Sequence, residues 1–171
     1  MRRTALAAGS VIAALLTGSV LAVSGGAQAT SGRTIALVTK DFHVKTTDVP
    51  PRGLERGSFG SGDNFLSSGR VFSPAGARRG AFDARCTITR GGSIARLLCD
   101  GVYALKEGHI FIQMRFSFTS LSDMPKPTQG AVVGGTRAYA GARGTFTTGE
   151  LTGEDEDDSG DGSEDIITLL P

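Results

Sequence analysis

Apolar and polar residues alternate along this chain with a period of two. From 110 to 118, Ile110, Ile112, Met114, Phe116 and Phe118 fall on one side, while Phe111, Gln113, Arg115 and Ser117 fall on the other. Successive side chains of a strand point to opposite faces, so this run predicts a half-buried β-strand. Thr34-Ile35-Ala36-Leu37-Val38-Thr39 predicts a first strand from its β-branched content. Further strands are predicted over 64–72, 82–90, 94–105, 130–133, 144–151 and 165–170, most of them separated by Gly, Pro, Ser or Asp clusters. No segment carries a convincing amphipathic-helix pattern. About seven or eight short strands in one domain imply a sandwich or a closed barrel. Val49-Pro50-Pro51-Arg52-Gly53 breaks the chain early, and 58–62 and 123–127 read as loops too short to link domains.

The N-terminus has a different pattern. Arg2 and Arg3 precede an alanine-rich apolar run from Ala5 to Val23, and Ala27-Gln28-Ala29 has the small-residue spacing of a cleavage site. Residues 1–29 therefore read as a removable secretion signal. Glycines within the run argue against an uncleaved anchor, although its length approaches the ~20 residues a spanning helix needs. Residues 30–171 remain as one domain, long enough to bury a core without heavy cross-linking. The expected location is secreted, and no other stretch is long and apolar enough to span a membrane.

The formal net charge is +1, and it becomes −1 once Arg2 and Arg3 are removed. Eight of the acids lie between Glu154 and Asp165, so the chain before them is basic. Its cations are scattered singly rather than grouped on one element, which with the export signal argues against nucleic-acid binding. Tryptophan is absent, and the nine phenylalanines suit core packing. Asp157, Ser159, Asp161 and Gly162 resemble the first half of a calcium loop, but Thr168 stands where the bidentate Glu is required. Residues 154–165 read instead as a solvated acidic loop running into the last strand. His43 and His109 are far apart in sequence, and no metal site is expected.

Cys86 and Cys99 are the only cysteines, an even count that favours a disulfide in an exported chain. Gly92-Ser93 suits a two-residue type II′ hairpin. In that register Gly91 faces Ile94, and Cys86 faces Cys99 at a non-hydrogen-bonded site, where Cα atoms lie ~4.5 Å apart and within disulfide reach. Cys86 and Ile88 then share the buried side with Leu97 and Cys99, while Arg85, Thr87, Thr89 and Arg96 point outward. The alternatives, a redox pair or metal ligands, lack C-x-x-C spacing and neighbouring histidines.

The most distinctive stretch is Val132-Val133-Gly134-Gly135-Thr136-Arg137-Ala138-Tyr139-Ala140-Gly141-Ala142-Arg143-Gly144. It lacks the G-x-G-x-x-G order and the following helix of a phosphate loop, and reads as a tight turn between strands. This run resembles the late motif of dirigent proteins and of the allene oxide cyclase barrel-like family. Gly62-Asp63-Asn64-Phe65 with Ser68-Gly69 is similar to the family's early Gly-Asp-x-Phe strand. Cys86 to Gly92 through Leu98-Cys99 looks like the central hairpin of its secreted bacterial members, and Gly108-His109-Ile110 follows. The resemblance spans about 34–170. One departure is Arg137, which stands where the family motif, commonly Gly-Gly-Thr-Gly, has its last glycine.

The resemblance implies an all-β fold, an eight-stranded antiparallel β-barrel, with a mostly apolar pocket at one end and often a homotrimeric assembly. It implies no metal and no organic cofactor. The implied function is to bind a small apolar or phenolic molecule and guide its cyclisation or coupling, an isomerase-type activity if catalytic. The alternative is a non-catalytic secreted module for ligand binding or surface interaction; an inhibitor or toxin-like effector is a third option. Asp63 and Arg143 are the candidate catalytic residues, as a pocket acid and a charge-stabilising cation; their structural roles would be to hold a turn and the glycine loop. Tyr103, Arg115 and Tyr139 are candidate ligand-binding residues, with core packing the competing role for both tyrosines.

Overall fold

A computed structural model describes residues 32–49, 59–120, 125–151 and 162–171. The expected signal segment, the Pro50-Pro51 break and almost all of the acidic, calcium-like loop lie outside the described residues. Eight strands follow one another: β1 (Arg33–Thr47), β2 (Asn64–Phe72), β3 (Arg78–Arg90), β4 (Ala95–Leu105), β5 (Gly108–Phe118), β6 (Thr128–Gly135), β7 (Gly144–Glu150) and β8 (Ser163–Leu169). Each pairs antiparallel with its sequence neighbour, and β8 pairs with β1 to close the barrel. The expected all-β, eight-stranded antiparallel barrel is the fold found. No helix among the described residues is long and apolar enough to cross a membrane.

The alternating pattern explains the barrel directly. Ile110 and Ile112 on β5, Leu97, Cys99 and Tyr103 on β4, and Ile167 and Leu169 on β8 all point inward and are buried. Each such large apolar side chain contributes ~1.5–3 kcal/mol by leaving water. Two clusters fill the lumen. The lower one includes Val71, Phe82, Tyr103, Phe146 and Ile167; the upper one gathers Ile88, Leu97, Cys99 and Phe118 under Phe59 and Phe65. A single turn of 3-10 helix, Arg137–Tyr139, closes the lower end and buries Tyr139. Arg137 holds φ 53, the left-handed region that favours glycine, so its side chain sits at a backbone position glycine would take without strain.

Two local expectations need correction. β1 runs on to Thr47 rather than ending at Thr39. Asp41 adopts φ 56 and the β1–β2 register shifts between Lys40 and His43, a bulge that breaks the alternation and hides the second half of the strand. The hairpin between β3 and β4 is not a two-residue turn. The Gly91 and Gly92 amides donate to Ser61 Oγ and the Phe59 carbonyl, so Gly91 does not pair with Ile94, and the register slips between Ile88 and Arg90. Below that slip the expected register holds. Cys86 faces Cys99, with Cα atoms 3.9 Å apart and the disulfide formed on the inner side.

Candidate functional site

The two ends of the barrel differ. The lower half of the lumen is packed with Phe, Ile, Leu and Tyr side chains. Near the upper rim a cavity of about 260 Å³ remains, between Met114 and Phe116 on β5 and Thr128, Thr148 and Ser163 on β6, β7 and β8. Cys99 forms part of its wall, and Lys126 and Glu150 stand at its edge as an ion pair. It lies near the lower limit of typical ligand sites, ~300–1,000 Å³. It exists because β5 and β6 part company: their ladder runs from Ile110 to Gln113 on β5 and goes no further, although β5 continues to Phe118.

Beneath the cavity sits a buried polar cluster. Asp165 on β8 takes an inward position, and its carboxylate is 1% exposed. Thr39 Oγ1 donates to Asp165 Oδ2 at 2.6 Å, and Ser163 Oγ donates to Oδ1 at 3.0 Å. The Tyr103 phenol approaches the same carboxylate and interacts with it, through charge and hydrogen bonding. Burial first, then the charge of Asp165 and this hydrogen bond, push the phenol well above the ordinary tyrosine value. The ring of Tyr103 is held between Phe82 and Phe146, at 4.8 and 6.1 Å between centroids. Ser163 belongs both to this cluster and to the cavity wall, and so connects the two.

The residues singled out in the sequence do not converge on this site. Asp63 is fully buried, and its two carboxylate oxygens accept the amides of Val49 at 2.9 Å and Gly60 at 2.8 Å. It organises the approach to β2, the turn-holding role weighed against a catalytic one. Arg143 is exposed in the turn before β7, and its carbonyl accepts the Leu170 amide. Arg115 is exposed on the outer face of β5 beside Thr89 and Gln113. Tyr139 is buried at the closed end, with the Arg33 guanidinium 5.5 Å from its ring centroid and its hydroxyl without a partner among the described residues. Tyr103 alone touches the polar cluster.

Sequence reasoning missed Asp165, Thr39 and Ser163 as site residues. The signal was present: Asp165, Ile167 and Leu169 alternate, so the aspartate shares the inward face. Its place at the end of an acidic run made it look solvated. A wider groove, about 700 Å³, crosses the outer surface of β1 to β5. Its charged residues, Lys45, Asp83, Arg85 and Asp100, are exposed, so the lumen cavity beside the buried Asp165 cluster is the better candidate. Among the described residues, no group of three His, Cys, Asp or Glu is placed to hold a metal.

No family model matches the chain, and no curated protein matches its sequence. Solved structures do. A pyocyanin demethylase is similar over 81% of this chain and all of its own, with 23% identity and a TM-score of 0.59. A nonspecific haem-binding cyclase that catalyses a 4 + 2 cycloaddition in neoabyssomicin biosynthesis is similar over 82% of this chain and 68% of its own, with 14% identity and a TM-score of 0.53. A Diels-Alderase of Streptomyces koyangensis is similar over 86% of this chain and 72% of its own, with 12% identity and a TM-score of 0.52. At these identities the likeness is one of fold, and the chain is an eight-stranded antiparallel barrel of the architecture on which these small-molecule-transforming proteins are built.

Proposed function

We propose that this protein is a secreted barrel of the allene oxide cyclase and dirigent type that binds a small apolar or phenolic molecule in its upper lumen and guides the molecule's cyclisation or coupling. The observation that carries this reading is the cavity left where β5 and β6 diverge, apolar on the Met114 and Phe116 side and hydroxyl-lined on the other. Such a wall holds a flexible, reactive molecule in one foldable shape, and restraint of that kind can remove several kcal/mol from a barrier. A homotrimer is part of the proposal. The packed lower lumen favours a second reading on the same scaffold, a ligand-binding module without catalysis.

Saturation-transfer NMR with a panel of phenols and conjugated polyenes tests the site, on the full chain and on Met114→Trp, which fills the cavity. Saturable binding by the wild type, lost in a folded Met114→Trp protein, is the expected result. A wild type that binds none of the panel, or a variant that binds equally well, overturns the site. Coupling of a bound phenol by an added one-electron oxidant then separates the two readings. Excess of one stereoisomer supports guidance; a racemic product from a bound phenol leaves the binding module.

A further inference from the structure

Two of the hydroxyls at the cavity, those of Ser163 and Thr128, have their protons committed away from it. Ser163 Oγ–H is directed at Asp165 Oδ1, and Thr128 Oγ1–H at the Pro125 carbonyl, 2.5 Å away. Each hydroxyl has one proton, and once that proton is committed only its lone pairs can face a ligand. At the rim the Lys126 ammonium is paired with Glu150. Asp165 fixes Ser163 firmly, since it is buried, accepts from the Thr39 and Ser163 hydroxyls and has no salt bridge to a cation among the described residues. A hydrogen bond to a carboxylate is roughly twice as strong as a neutral one, which holds the serine proton inward.

We infer that Ser163 Oγ is the hydrogen-bond acceptor of this cavity, oriented by Asp165 behind it, and that the ligand is an apolar molecule with a hydroxyl donor, a phenol or enol. The inference rests on the lumen cavity being the binding site and adds the polarity of the group it recognises. Ser163 touches the ligand; Asp165 is a positioning residue. An ether or ketone of the same shape leaves the Ser163 lone pair without a donor and is disfavoured, because a buried acceptor in that state has lost its hydrogen bond to water and gained none in return.

Equilibrium dialysis with 4-nitrophenol and 4-nitroanisole tests this, since the two probes differ in the donor proton and one methyl group. The wild type is expected to favour the phenol about tenfold, as ~1.4 kcal/mol requires. Ser163→Ala is expected to abolish the preference and Ser163→Thr to keep it. In Asp165→Asn the amide can donate to Ser163 Oγ and turn the serine proton toward the cavity, so the preference falls to unity or reverses. The 4-nitroanisole affinity should rise in Ser163→Ala, because the unpaired acceptor is gone, a result a merely structural role for the serine would not give. Equal binding of the two probes by the wild type, or a preference surviving in Ser163→Ala, overturns the inference and leaves the cavity reading standing. Binding of neither probe overturns both. If Asp165→Asn does not fold, the serine pair decides the outcome alone.

Discussion

The Tyr103 hydroxyl, on β4, reaches across the lumen to the Asp165 carboxylate, on β8, the strand diametrically opposite in the closed ring. This interaction joins two walls that share no backbone ladder. Replacing Tyr103 with Phe keeps the ring between Phe82 and Phe146 but removes a donor from a buried carboxylate. The expected cost is ~1.5–3 kcal/mol, read as a lower urea midpoint. The pH dependence follows from the raised phenol. Its contribution is fully present below the unfolded tyrosine value of about 10 and is lost as pH rises through the folded value. Wild type should therefore lose stability above about pH 10, where the unfolded phenol ionises, more steeply than Tyr103→Phe. Parallel slopes would show that the phenol is not held in this way.

Asp63→Ala separates a structural aspartate from a catalytic one. The carboxylate accepts the Val49 and Gly60 amides, and its loss leaves both without that partner. Destabilisation of ~2–3 kcal/mol is expected, with unchanged phenol binding per folded molecule. Chemical denaturation and dialysis on the same preparation check both halves. Lost binding in a fully folded variant would restore Asp63 to the site.

The Cys86–Cys99 bridge closes a loop with a sequence separation of 13 across an already paired hairpin. Reduction, or replacement of both cysteines by serine, is expected to cost ~3 kcal/mol in the chain-entropy model. The strand signature in circular dichroism should remain, because the ladders around the ring do not depend on the sulfurs. The urea midpoints of oxidised and reduced protein give the number.

Two backbone positions are expected to respond in opposite directions. A Cβ on Gly144 would lie 1.9 Å from the Thr168 carbonyl oxygen, so Gly144→Ala forces β7 away from β8 and should cost more than ~3 kcal/mol. Arg137 already bears a side chain at φ 53, so Arg137→Gly relieves strain. That change should be neutral or stabilising by up to ~1 kcal/mol, the backbone relief being partly offset by the greater freedom of glycine in the unfolded chain. Thermal unfolding of the two variants side by side decides the signs.

Strand positions were legible wherever alternation was unbroken. β2 begins and ends where its pattern does, and the buried Ile110, Ile112 and Phe118 fall on the predicted side of β5. Legibility failed where the backbone left the strand conformation. Asp41 disrupts the period of β1, and the 59–61 segment captures the amides of Gly91 and Gly92, a long-range competition that local turn chemistry does not encode. The site was harder to read. Thr39, Tyr103 and Asp165 lie far apart in sequence and meet only when the cylinder closes. Asp63, conspicuous in its motif, is consumed by its own surroundings.

The pairing of Arg33 with Leu169 brings both extremities of the described barrel out at the pole plugged by Tyr139, remote from Met114 and Ser163. A graft joined at either extremity, whether an immobilising tag or a fused carrier, would hang from the sealed pole and leave the opposite aperture facing free solution. The molecule is therefore suited to oriented display on a sensor surface, where ligand capture can be followed without obstruction from the attachment.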